Sequence, residues 1–124
     1  MVAKRIITTL MLKNGVLFRT KNFFPDYRYT LNFIDMWSVD ELVILDISRN
    51  LSFNDREKNI FFDKMKKISK NAYIPITAGG GIRKLSDIEK LLKNGADKVI
   101  INTASIIDRK IINLAAKEFG SQCI

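Results

Sequence analysis

The stretch Ile76-Thr77-Ala78-Gly79-Gly80-Gly81-Ile82 reads as a short buried strand, three glycines, and a helix that begins a few residues later. Consecutive glycines cost backbone entropy. One reason to keep them is close approach, because backbone N–H groups without neighbouring Cβ atoms can surround an oxyanion. The following helix would aim its positive N-terminal end the same way. Gly79, Gly80 and Gly81 are therefore a candidate phosphate cradle at the C-terminal end of a parallel strand. A tight strand-to-helix turn with no ligand fits the glycines equally well. A second set of candidates is charged: Arg5, Glu41 and Lys98 each stand at the start of an apolar run. A third is the Asn14-Gly15 turn. The extended run after it carries Arg19 and Lys21, and reads either as a flap over a site or as a surface loop.

Those candidates must be held by a small frame. The chain has 124 residues, 47% of them apolar, which suits one globular core. Its single cysteine, Cys123, excludes an internal disulfide and fits a reducing, cytoplasmic setting. Residues 6–12 are too short for a signal peptide and contain Thr8 and Thr9, and no run approaches the roughly 20 apolar residues of a membrane span. The net charge of +8 fits either anionic partners or a lysine-rich solvated surface. Lys64, Lys66, Lys67, Lys70, Lys90 and Lys93 are scattered over helix faces without interleaved aromatics, so no nucleic-acid platform is expected. With no histidine and one cysteine, no transition-metal site is expected either.

In chain order, 5–12 reads as a strand, followed by a hairpin that Pro25-Asp26 breaks. Residues 30–37 are a helix candidate with Leu31, Ile34 and Trp37 on one face. Residues 41–46 (ELVILD) read as a strand buried on both faces, and 47–54 as a polar loop. A helix over 56–70 should turn Ile60, Phe61, Met65 and Ile68 inward. Residues 75–78 form a third strand, and Leu85, Ile88, Leu91 and Leu92 have helical spacing, with Gly95 just past the helix end. Residues 98–101 are the fourth strand. Asp108 should cap a helix bearing Ile111, Ile112, Ala115 and Phe119, which Gly120 ends. Residues 122–124 look like the start of another strand. Four βα units without a linker predict an α/β chain with a parallel sheet, either doubly wound or half of a barrel. In a barrel, strand period would place Arg5, Glu41 and Lys98 at the N-terminal mouth and Thr9, Gly79 and Asn102 near the opposite one.

Six stretches then carry a resemblance: AKRII at 3–7, LKNG at 12–15, DELVILDI at 40–47, GGGI at 79–82, GADKVIINTA at 95–104 and FGSQC at 119–123. Spaced through the whole chain, they resemble the HisF-like cyclase subunit of imidazole glycerol phosphate synthase, a (βα)8 TIM-type barrel of histidine biosynthesis. The resemblance covers the first half of that barrel, so residues 1–124 are expected to be a (βα)4 half-barrel of a longer frame. It implies a HisH-like glutaminase partner at the N-terminal mouth, ammonia passage through the bore, and a phosphorylated small molecule at the C-terminal face. It also implies that Arg5, Glu41 and Lys98 form the ammonia gate. Thr77 would lie along the tunnel and Asp97 at the glutaminase interface. Gly81, Asn102 and Thr103, with Gly80 beside them, match a phosphate site. Lys13, Arg19 and Asp46 belong to the active face.

One departure bears on chemistry. Where the family has a general-acid aspartate, this chain has Met11, and a thioether has no proton to transfer. No intact catalytic residue is therefore expected, and no cofactor. The LKNG stretch looks like that of paralogues found with surface-polysaccharide and flagellin-sugar genes, which would add an ATP-dependent sugar amidotransferase as a partner. Two function classes stay open: an enzyme subunit that closes an imidazole ring, and a conduit and docking subunit that makes no bond itself. An unrelated phosphate-binding βα domain is the plainest alternative.

Overall fold

The computed structural model describes residues 3–22, 24–28, 39–48, 53 and 55–124. Their elements run β1 (Ile7–Lys13), β2 (Val16–Lys21), β3 (Phe24–Arg28), β4 (Glu41–Asp46), α1 (Arg56–Asn71), β5 (Ile76–Gly79), α2 (Leu85–Lys93), β6 (Lys98–Ile100), α3 (Thr103–Ile107) and α4 (Lys110–Phe119). One six-stranded sheet has the order β3-β2-β1-β4-β5-β6. β1, β4, β5 and β6 are parallel, and β2 and β3 extend the sheet antiparallel beyond β1.

Period-2 alternation explains which side the helices take. Leu10, Leu12, Leu42, Ile44, Ile76, Ala78 and Val99 are buried with Phe61, Met65, Ile68, Ile88, Leu91, Ile111 and Ala115 in one core. The other face carries Ile7 and Ile100, which are 53% and 45% exposed. A doubly wound sheet would cover both faces. Four parallel strands covered on one face, in alternating βα order, are the arrangement of half a (βα)8 barrel. The open face is then the bore side. Across it Thr9, Val43, Thr77 and Lys98 stand level, and one step further along so do Met11, Leu45, Gly79 and Ile100.

Two strand starts are clasped alike. The Asp40 N–H donates to the Ile6 carbonyl at 2.8 Å, while its Oδ2 accepts the Ile6 N–H at 2.7 Å. Asp97 repeats the reciprocal pair with Ile76, at 2.8 Å both ways. Each aspartate thus caps a donor that the first pleat of the neighbouring strand leaves unpaired.

Several expectations need correction. Pro25-Asp26 does not end the hairpin but lies within β3. That strand is at the sheet edge, where a residue without an N–H is tolerated, and a register shift between Arg19 and Thr20 bends the pairing. On α1 the inward set is Phe61, Phe62, Met65 and Ile68, with Lys58, whereas Ile60 is half exposed. Ile60 instead covers the hairpin turn, since a Cβ on Gly15 would meet its Cγ2 at 2.2 Å. The final helix is preceded by the short α3. Asp108 accepts the Lys110 N–H at 3.0 Å rather than sitting at the cap position, which Arg109 holds. Ser121–Cys123 forms a 3₁₀ turn, not a strand. The expected helix over 30–37 lies outside the described residues.

Candidate functional site at the C-terminal mouth

At the C-terminal ends of β4, β5 and β6 the loops surround a cavity of about 1030 Å³, lined by Asp46, Gly80, Gly81, Asn102 and Thr103 among others. The sheet order brings these residues together from three separate βα junctions. Ile100, Ile107 and Leu114 give the cavity an apolar wall, and Arg83 and Lys84 stand at its edge.

The glycines have steric reasons that the sequence could not display. A Cβ on Gly79 would come within 2.6 Å of the Ile100 carbonyl oxygen on β6. Gly80 has φ +103 and a Cβ there would lie 2.1 Å from the Asp46 carbonyl oxygen. Neighbouring strands, not an anion, exclude side chains from these two positions. The Gly80→Ala protein should lose about 2–5 kcal/mol of stability, from left-handed strain plus overpacking. Urea unfolding measures it; a loss below about 0.5 kcal/mol would show that the turn adapts.

The expected contribution of a helix end also changes. Asp87, buried in the first turn of α2, accepts the Arg83 and Lys84 N–H groups at 2.9 and 3.1 Å through Oδ2. The carboxylate of Asp87 thus already occupies two of the N–H groups that lead into α2.

Beneath the turn lies a buried ion pair. Asp46 ends β4 on the helix-covered face. Its Oδ2 accepts from Lys58 Nζ at 2.8 Å and its Oδ1 from the Ser48 N–H at 2.9 Å. Both side chains of the pair are 3% exposed. Lys58 Nζ also donates to the Gly80 carbonyl at 3.3 Å and lies 4.2 and 4.6 Å from the Phe53 and Phe61 ring centroids. Burial pushes the Lys58 ammonium below its ordinary pKa of 10.5, while Asp46 acts against that shift. Sequence reasoning passed over Lys58. The available signal was its phase, since position 58 shares the inward face of α1 with Phe61, Phe62, Met65 and Ile68.

Asp46 is thus turned away from the bore, not toward it. Met11 lies on the open face, level with Leu45, Gly79 and Ile100. Lys13 ends β1, exposed, one pleat beyond Met11. Arg19 stands on β2 opposite Tyr27.

At the other mouth, Arg5 Nη1 donates to Glu41 Oε1 at 2.5 Å. Lys98 stands outside that ion pair, level with Thr77 and two residues further along the sheet than Glu41. Two residues of strand are about 6.6 Å. Asp97 and Lys98, with Tyr73, Pro75, Gly95 and Gln122, line a groove of about 560 Å³ at this end. Of the six residues carried over to the gate, tunnel, interface and acid position, the sheet therefore joins Arg5 to Glu41 and aligns Thr77 with Lys98. It places Asp97 in a strand clasp and Met11 at the far end. Among the described residues no helix is long and apolar enough to cross a membrane.

Residues 5–124 match the family of histidine biosynthesis proteins. The chain belongs to that family. Three relatives place it within the HisF-like branch. A Campylobacter jejuni protein provisionally named as imidazole glycerol phosphate synthase subunit hisF2 is 38% identical over 130 residues, covering 100% of this chain and 50% of that protein. The imidazole glycerol phosphate synthase subunit HisF of a Hydrogenobaculum species is 40% identical over 129 residues, with the same coverage. A Vibrio vulnificus protein, also provisionally named hisF2, is 40% identical over 129 residues and is covered to 46%. The chain spans about half the length of these relatives, and the half-barrel sheet is what such a half of a HisF-like barrel contains.

Proposed function

We propose that this HisF-like chain serves in a glutamine amidotransferase system, receiving ammonia from a HisH-like glutaminase subunit and passing it along the bore without making a bond itself. The observation that carries this reading is the bore face. Its N-terminal mouth keeps Arg5, Glu41 and Lys98, and its C-terminal mouth presents Met11 where the resemblance implies an acid. Asp97, in the groove beside Lys98, fits a docking surface for the glutaminase. The cavity lined by Gly80, Gly81, Asn102 and Thr103 fits a phosphorylated small molecule, and Lys13 and Arg19 are proposed to serve the same active face. In this reading the ammonia goes to an ATP-dependent sugar amidotransferase of surface-glycan synthesis, and the protein works in the cytoplasm. The relatives named HisF favour a second reading, a true cyclase subunit of histidine biosynthesis.

Lys98→Ala separates a gate from a structural charge. Glutamine-dependent activity of the assembly should fall by about tenfold or more, on the scale of a lost charge-assisted contact, while activity with added ammonium salt is largely kept. Equal losses with both nitrogen sources would remove the gate.

The frame is proposed as one half of a barrel. β6 is an edge strand of three residues, and the bore side carries exposed Ile7 and Ile100. Open edges and an uncovered apolar face favour association. In sedimentation, the 124-residue chain is expected to self-associate at micromolar concentration. A folded monomer under those conditions would show that the open face needs no cover.

A further inference from the structure

The contact between Lys58 and the Gly80 carbonyl has a consequence on the cavity side of the same peptide. Gly80 is held from two directions. Its Cα rests against the Asp46 backbone, where no Cβ fits. Its carbonyl oxygen is drawn into the layer beneath the sheet end by Lys58 Nζ, 3.3 Å away. Lys58 cannot follow that oxygen outward, because Asp46 Oδ2 holds the same ammonium at 2.8 Å and the Phe53 and Phe61 rings flank it. The peptide linking Gly80 to Gly81 is trans, as no cis bond occurs among the described residues. In a trans peptide the C=O and the following N–H point in opposite directions. With the Gly80 oxygen turned onto Lys58, the Gly81 N–H points the opposite way, and both glycines line the cavity with Asn102 and Thr103.

We propose that Lys58 is a positioning residue for anion binding: through the Gly80 carbonyl it orients the Gly81 N–H toward a phosphate-class ligand in the C-terminal cavity. This rests on the reading of that cavity as a phosphate site. Glycine flanking gives the peptide two accessible orientations, since both glycines have positive φ, +103 and +74. A flipped peptide would present the carbonyl oxygen to the anion, which repels it. The buried ammonium selects one orientation, and its charge polarises the peptide so that the N–H is the stronger donor. The ion pair thus acts on the ligand from below without touching it. The Arg83 and Lys84 N–H groups, bound to Asp87, cannot supply the same donor.

The test uses the full-length chain, inorganic phosphate as the probe, and the double variant Asp46→Leu/Lys58→Met, which removes both charges together and leaves neither buried alone. In the unaltered protein, phosphate should shift the Gly81 amide resonance. In the double variant the affinity should fall about tenfold or more, and the Gly81 response should vanish although the variant still folds cooperatively. An unaltered protein whose Gly81 amide ignores phosphate overturns the phosphate reading of the cavity. A double variant that binds and responds like the unaltered protein overturns the positioning role alone. If the variant does not fold, a crystal structure of the unaltered protein with phosphate decides the matter. The Gly81 N–H on the anion, with Lys58 on the Gly80 carbonyl, supports the proposal, and that N–H turned away from the anion overturns it.

Discussion

Lys58→Met should destabilise the protein by about 3–5 kcal/mol, the cost of stranding one partner of a buried ion pair. The Asp46 carboxylate, 3% exposed, would keep the Ser48 N–H but lose its cation. The Gly80 carbonyl and the faces of Phe53 and Phe61 would lose theirs as well. Asp46→Leu/Lys58→Met should recover most of the loss, because replacing both charges by apolar groups avoids the stranded one. The contrast is Lys93, whose i,i+4 pair with Glu89 is 71% and 50% exposed. Lys93→Met should cost less than about 0.5 kcal/mol, since water and salt screen an exposed pair. Urea unfolding of the three variants gives the comparison. Similar small losses for Lys58→Met and Lys93→Met would mean that the Lys58 pair is reached by water.

The unaltered full-length protein should fail to support growth of a histidine auxotroph that lacks its cyclase subunit. General acid–base groups typically supply about 10²- to 10⁴-fold in rate, and the position at issue carries the Met11 thioether. The sheet adds a reason why a neighbour does not replace it. Level with Met11 stand Leu45, Gly79 and Ile100. Asp46, the next carboxylate along β4, projects to the opposite face and is bonded to Lys58. Reaching the bore would require it to leave a buried cation behind. Met11→Asp should fold, because position 11 lies on the open face, and would test whether an acid there restores turnover. Growth with the unaltered protein would show that cyclase chemistry survives by another route, and would favour the second reading over the conduit.

Most of the frame was legible in the sequence because it rests on short-range rules. The apolar run of ELVILD, the helical spacing of Leu85, Ile88, Leu91 and Leu92, and Gly95 after them each state a local preference. The αβ order with parallel strands followed from their alternation. What the sequence left open was which faces the helices cover, and that decides between a doubly wound sheet and a half-barrel. The choice depends on how strands ten or more residues apart pair, which no local preference contains. Pro25 shows the same limit. Its missing N–H reads as a break, and only its place at the sheet edge makes it compatible with a strand.

The candidate site divides along the same line. Residue types alone pointed to the triple glycine, to the charges at the strand starts and to the missing acid at Met11. Tertiary structure alone showed that Gly79 and Gly80 are small because β6 and the end of β4 press against them. Residue type alone does not mark Lys58 among the many lysines of a basic chain. Its role comes from meeting Asp46, twelve residues away, and Gly80, twenty-two residues away. Helical phase could say that position 58 points inward. Only the packing of α1 against the ends of β4 and β5 supplies the carboxylate and the carbonyl that let a charge be buried there.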